Sequence, residues 1–346
     1  VSARSIVAAA VALAALVLPL GPRAASAQQL GLLVGGDPMY APSVLPGEVI
    51  PVEISLACET ACGEAAEWWI WVENMNDPTD ARYFDGAAGK WRSGSAPSYD
   101  RPLADTAPLT LPGRLTLPEG QWFVRFAVDR NRGGVRHEGA AGYTEYQADT
   151  YSGFISQYVQ PGFFDDFSDG DAKGWTTDGS GAWGLAGQAY RAAANQRMRV
   201  FWSRHAGQYD DFAFSADVRL RAGDALSRRR GFGLMFRSAG GYNNCYAFHI
   251  NANGYYLIFK RVNGRTVLLT RDWTPHPAIS KGVGAWNTLQ VQAYGDYLSF
   301  SINGTQVDQF NDVSFARGYA GVKAFGDSAS GDRFQFDNVR LFAGGN

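Results

Sequence analysis

The sequence predicts an all-β protein built as two β-sandwich domains, and three observations carry that reading. Between residues 231 and 262, Phe232, Leu234 and Phe236 alternate with Met235 and Arg237, and Tyr246, Phe248 and Ile250 alternate with Ala247 and His249. This period of two marks strands with one face buried. Asn253-Gly254, Asn263-Gly264 and Asn303-Gly304 supply the positive backbone angles that two-residue hairpin turns require. No helical period of useful length interrupts the pattern, and charge changes sign near residue 160: residues 28–160 carry 9 Lys/Arg against 17 Asp/Glu, residues 161–346 carry 20 against 16.

In chain order, Arg4 precedes an apolar run from Ile6 to Leu20, followed by Gly21-Pro22 and Ala25-Ser26-Ala27. Residues 1–27 therefore read as a secretory signal peptide, whose run is shorter than the ~20 residues of an easy membrane span. A secreted protein is expected, extracellular, on the cell surface or in a periplasm, with retention of the segment as an anchor as the alternative. No later run is apolar enough for a span. The abundance of Ala, Gly and Arg fits a bacterial source. A net charge of −2 leaves no basic footprint for nucleic acid.

Residues 28–160 contain short strand-like runs (48–56, 67–72, 114–117, 121–128 and 150–159) punctuated by Gly and Pro, the profile of an immunoglobulin-like β-sandwich. Trp69 and Trp71 share one strand face and are expected in the core, with Trp68 opposite. Cys58 and Cys62 are placed to form a disulfide, and Cys245, left over in a strand, reads as a small buried filler. From Trp68-Trp69-Ile70-Trp71, Tyr83-Phe84-Asp85-Gly86 and Leu117-Pro118-Glu119-Gly120-Gln121-Trp122, this half resembles a β-sandwich module of exported bacterial proteins, which implies a fold but no chemistry.

Residues 161–346 open at the Pro161-Gly162 joint. Strands are predicted at 200–203, 211–221, the three-strand meander of 231–262, 265–270, 286–294, 297–303, 305–310, 318–325 and 333–342, an architecture of the two-sheet jelly-roll kind. Asp165-Asp166-Phe167, Gly174-Trp175, Phe214-Ser215-Ala216-Asp217-Val218, Gly233-Leu234-Met235-Phe236-Arg237, Trp286-Asn287-Thr288-Leu289, Ile302-Asn303-Gly304 and Phe336-Asp337-Asn338-Val339 follow in an order that resembles the concanavalin A-like lectin/glucanase superfamily. The likeness is to its laminin-G-like modules and to the domain named for 3-keto-disaccharide hydrolases. The resemblance implies a structural calcium near the first and last strands, with Asp166 and Asp337 as matching carboxylates. It also leaves open sugar binding, protein binding and glycoside hydrolysis. The glucanase branch needs Glu-x-Asp-x-x-Glu, and the last glutamate here is Glu145.

A carbohydrate-binding or adhesive role is therefore expected, with a glycan or polysaccharide as partner on the concave sheet. The alternatives are a 3-keto-disaccharide type hydrolase, for which no catalytic residues can be named, and a structural surface protein that binds other proteins. Arg237, His249, Lys260, Arg271, Asp272 and Trp273 are the candidate ligand contacts. In this reading Arg237 makes paired hydrogen bonds to vicinal hydroxyls, and Trp273 offers a stacking platform in a loop with Arg271 and Asp272.

Overall fold

The computed structural model describes residues 29–36, 41, 43–138, 140–141, 143–146, 155–194, 199–223, 231–326 and 332–344. The expected signal segment lies outside them. The first sandwich comprises β1 (Gln29–Val34), β2 (Val52–Ala57), β3 (Ala65–Asn74), β4 (Ala81–Asp85), β5 (Lys90–Ser93), β6 (Tyr99–Pro102), β7 (Thr106–Thr110), β8 (Gly120–Asp129), β9 (Tyr143–Glu145) and β10 (Ile155–Val159). A three-stranded sheet, β1-β2-β7, accompanies a seven-stranded one ordered β10-β8-β3-β4-β5, with β6 on β3 and β9 on β8. Residues 114–117 do not form the expected strand. Between Pro112 and Pro118, Leu115 and Leu117 bury their side chains while the Leu115 carbonyl accepts a hydrogen bond from Ile50 N.

The tryptophan reading is reversed. Trp68, Ile70 and Val72 enter the main core, whereas Trp69 and Trp71 pack with Ala127 on the opposite face of the sheet. They are buried there because Arg136 lies over Trp71, its guanidinium carbon 4.0 Å from the ring centroid. Cys58 and Cys62 form the expected disulfide, around a short 3-10 turn, Glu59–Ala61. No helix among the described residues is long and apolar enough to cross a membrane.

The second sandwich comprises β11 (Gly162–Asp165), β12 (Trp175–Thr177), β13 (Trp183–Leu185), β14 (Tyr190–Ala194), β15 (Arg199–Tyr209), β16 (Phe212–Ala222), β17 (Phe232–Ser238), β18 (Cys245–Ile250), β19 (Tyr255–Val262), β20 (Arg265–Leu268), β21 (Thr274–Pro275), β22 (Asn287–Tyr294), β23 (Tyr297–Ile302), β24 (Thr305–Asn311), β25 (Gly318–Gly326) and β26 (Asp332–Ala343). They form two eight-stranded antiparallel sheets. One runs β13-β14-β26-β16-β22-β23-β24 with β11 on β26, the other β12-β15-β25-β17-β18-β19-β20 with β21 on β19. Phe214, Val291 and Phe300 from the first sheet meet Leu234, Phe248 and Val322 from the second in one core. Each fully buried aromatic or aliphatic side chain there contributes about 2 kcal/mol.

The two sandwiches touch through a backbone bond from Phe164 N to Pro46 O (2.9 Å). Ion pairs Arg340–Glu48 and Arg114–Asp166 add to the contact.

Candidate functional site

The sheet containing β17, β18, β19 and β25 turns one face to the core and the other away from it. Register decides which side chains share that outer face. Lys323 pairs with Gly233, Gly233 with His249, and His249 with Leu257, so all four lie in one row across β25, β17, β18 and β19. Lys323 and His249 are separated by a whole strand, roughly 10 Å at the usual spacing. They meet because the residue between them is glycine: Lys323 Nζ lies 2.8 Å from His249 Nε2. A side chain at Gly233 is excluded on two grounds. Its φ is +156°, and an added Cβ would come within 2.2 Å of Phe248 O.

Above this pair lies a cavity of about 250 Å3, and both side chains belong to its lining. The neighbouring outer-face row supplies Phe259, which meets the His249 ring edge to face with centroids 5.0 Å apart. Tyr242 also lines the cavity, its ring centroid 4.5 Å from Lys323 Nζ. Trp273 and Phe325 complete an aromatic surround. The backbone of Gly231 leaves room for Trp273 beside the imidazole: a Cβ there would stand 2.8 Å from His249 Nδ1 and 3.1 Å from Trp273 Cη2.

Both basic groups at the cavity are neutral in mildly alkaline solution. Burial pushes the Lys323 amine down to about 7, Arg261 pushing the same way and Cys245 opposing. Burial, reinforced by Lys323, holds the His249 imidazole well below its ordinary range. Burial raises the Cys245 thiol to about 12, so it remains protonated, in keeping with its reading as a buried filler. No carboxylate among the described residues forms an ion pair with Lys323.

The six residues expected to contact a ligand are not all brought together here. His249 and Trp273 line the cavity; Arg271 and Asp272 are exposed and do not, Asp272 instead capping Trp273 N with its carboxylate at 2.7 Å. Arg237 does not reach the outer face. A bulge between Met235 and Ser238 and a φ of +45° at Arg237 break the alternation and send the guanidinium into the end of the sandwich. There it donates to Asp210 O (Nε 3.0 Å, Nη2 2.7 Å), Gly295 O (2.7 Å) and Phe315 O (3.1 Å), and is 1 % exposed.

Lys260 is also misplaced by the expectation. It pairs with Tyr246, a core-facing position, and its ammonium bonds Asp312 and Ser314. Against the burial cost, hydrogen bonds from Lys260, Tyr246 and Ser314 hold the Asp312 carboxyl well below its usual range. Arg237 and Lys260 thus serve the same loop, residues 312–315, from two sides.

Lys323 escaped the sequence reading. Its signal was present: in Ala320-Gly321-Val322-Lys323-Ala324-Phe325 it is the one charged residue of an otherwise small and apolar strand, out of phase with the core positions Ala320, Val322 and Ala324.

A second cavity, of about 520 Å3, lies where the sandwiches meet and is lined by Arg114, Asp165, Asp166, Lys173 and His205 among others. Its carboxylates are engaged in local structure. Asp165 accepts from Phe167 N and Trp175 Nε1, and Asp166 accepts from Ser168 N and pairs with Arg114. Burial raises the Asp165 carboxyl to about 6 and lowers the His205 imidazole, stacked on Phe163, to about 4. The expected calcium carboxylates, Asp166 and Asp337, are electrostatic neighbours. They do not join a third ligand in a compact cluster. Among the described residues the one such group is Cys58, Cys62 and Asp105, two of which are disulfide-bonded.

Two facing eight-stranded sheets with a pocket on the outer face of one define a jelly-roll domain of concanavalin A-like type. Residues 162–341, just over half of the chain, match the 3-keto-alpha-glucoside-1,2-lyase-like domain family, and the chain belongs to that family. Among solved structures, the carbohydrate binding module CBM66 from Bacillus subtilis is similar at 23% identity, covering 49% of this chain and 96% of its own, with a TM-score of 0.41. The Bacillus licheniformis beta-glucanase is similar at 9% identity, covering 53% and 98%, TM-score 0.39. The endo-beta-1,3-glucanase from Pyrococcus furiosus is similar at 13%, covering 52% and 93%, TM-score 0.40. No curated protein matches the chain.

Proposed function

We propose that the chain is an exported carbohydrate-binding protein and that one sugar ring occupies the pocket over Lys323 and His249. One observation carries this reading: an aromatic-walled cavity ends in two basic groups that have each other and, among the described residues, no carboxylate as partner. Sugar sites need that pairing of apolar stacking surface with a few fixed polar groups. The volume, about 250 Å3, falls below the ~300–1,000 Å3 of pockets for drug-sized ligands and suits one ring rather than a chain. In this reading the first sandwich is an immunoglobulin-like spacer.

A second reading is favoured by the neutral amine. In a 3-keto glucoside the ketone at C3 acidifies the proton on C2. A base that takes that proton lets the electron pair form C1=C2 while the glycosidic oxygen leaves with a proton. Unprotonated Lys323 is a base of the right kind, poised near neutral pH. Hydrolysis by a glutamate pair has no support, since residues 146–346 contain no glutamate.

The test is calorimetric binding of methyl α-glucoside and methyl 3-keto-α-glucoside to the full chain, with product analysis by mass spectrometry. Saturable binding weakened by Trp273→Ala and without turnover supports the first reading, and an unsaturated keto sugar as product supports the second. If neither sugar binds, and a wider glycan array is also blank, both readings fail.

A further inference from the structure

The binding reading treats Lys323 as a hydrogen-bonding group, but its surroundings suit covalent chemistry. We infer that Lys323 captures carbonyl-bearing sugars, such as keto sugars, as an imine, with His249 relaying the protons. This inference rests on the proposed sugar pocket and adds to it a covalent mode of capture, open to sugars with a free ketone or aldehyde carbon and closed to fully hydroxylated rings.

The argument begins with access and company. Lys323 belongs to the cavity lining, so a ring seated there lies beside its side chain. The groups around the amine are His249 and Cys245 from β18, Arg261 from β19, Phe259 beside it, and Tyr242 from the β17–β18 turn. Among the described residues none is a carboxylate that would hold the amine as a tight ammonium. Arg261 lies on its own side of the sheet with its guanidinium over Tyr242, 4.4 Å from the centroid, and bonded to Thr266 Oγ1. A lysine desolvated by aromatic walls next to another cation is the arrangement in which the amine acts as a nucleophile toward carbonyl carbon.

The step balances without any oxidant or reductant. The Nζ lone pair adds to the carbonyl carbon, and the carbonyl π pair moves to oxygen, which takes a proton. The resulting hydroxyl takes a second proton and departs as water as the C=N bond forms. The two protons that Nζ gives up are the two that leave with that oxygen. His249 Nε2, at 2.8 Å from Nζ, is within reach to accept one of them and return it to the departing oxygen. Aromatic walls that exclude water favour the imine over its hydrolysis.

The experiment incubates the full chain with methyl 3-keto-α-glucoside at mildly alkaline pH in the presence of sodium cyanoborohydride, which reduces C=N to a stable secondary amine. Intact mass and peptide mapping then locate the adduct. Near pH 8 an amine titrating at about 7 is unprotonated on the order of a hundredfold more often than an ordinary lysine. Labelling at Lys323 at least about tenfold faster than at Lys90, Lys173, Lys260 or Lys281 is the expected result. Methyl α-glucoside, which lacks the ketone, leaves the lysine unlabelled and protects it in competition. Equal labelling of all lysines, or keto-sugar binding sensitive to Trp273→Ala with no adduct at Lys323, overturns the inference while leaving the binding reading in place. Absence of both binding and adduct overturns the two together. Because the readout is a map of the wild-type chain, it does not depend on a lysine variant folding.

Discussion

Arg237 and Lys323 are both basic, both 1 % exposed, and both on the same sheet, yet they sit in opposite situations. At the sandwich end, the Arg237 guanidinium is held by the carbonyls of three separate turns. On the outer face, Lys323 has one imidazole, aromatic rings and a cavity. Burial is therefore no guide to role. What separates a clamp from a site is whether the donors are used up, since a satisfied charge fixes structure and an under-satisfied one at a cavity is available to a ligand.

Arg237→Met tests the clamp and has the largest expected effect. It strands carbonyls of Asp210, Gly295 and Phe315 at about 1–3 kcal/mol each, so a loss on the order of 4 kcal/mol is expected in denaturant melts. Lysine at this position will not restore it, because a single ammonium lacks the planar fork that reaches three turns. Sugar affinity of whatever folded fraction remains should be unchanged; a selective loss of binding would merge the two regions and break the comparison.

The pocket predicts the opposite sign. The folded chain holds the Lys323 amine near 7 against an unfolded value of 10.5, so between those values the unfolded state binds more protons and stability rises with pH. The penalty is complete below about pH 7. His249, lowered from 6.5, adds a contribution that is present above 6.5 and lost as pH falls through its folded value. Lys323→Met should thus raise stability by about 2 kcal/mol, an increase of roughly 5 °C in melting temperature. The gain should be greatest at or below pH 7 and fade toward pH 10. A pH-independent change would mean the amine is not held neutral.

Smaller effects sharpen the site's outline. Trp273→Ala removes a cavity wall and should weaken sugar binding about tenfold, the equivalent of ~1.4 kcal/mol, with little change in melting temperature because the side chain is only partly buried. Arg271→Ala and Asp272→Ala, both exposed, should shift stability by no more than about 0.5 kcal/mol and leave affinity unaltered. An Arg271 effect as large as that of Trp273 would extend the site onto the loop.

The meander shows how far alternation carries. Phe232, Leu234, Phe236, Tyr246, Phe248 and Ile250 all reach the core, and His249 does face the other way. Arg237 fails because alternation assumes regular extended backbone, and one left-handed residue at a bulge cancels it. Trp68, Trp69 and Trp71 fail differently. Period two separates the faces, but which face is the main core depends on where the second sheet lies, and an arginine from a distant loop can bury the other. Lys260 fails for the same reason: its partner Tyr246 turns inward, and the pair is claimed by Asp312, some fifty residues further along the chain.

By itself the sequence determined most strands of the second sandwich, its hairpin turns and the all-β sandwich architecture, because these follow from side-chain periodicity and from glycines and asparagines acting over a few residues. The Cys58–Cys62 disulfide belongs with them, being closed by a short local turn. Only the tertiary structure decided which basic residue would be a clamp and which a candidate site. Lys323 and His249, 74 residues apart, become neighbours through the register of three strands around one glycine. That register is set by the packing of the whole sheet, and no local pattern encodes it.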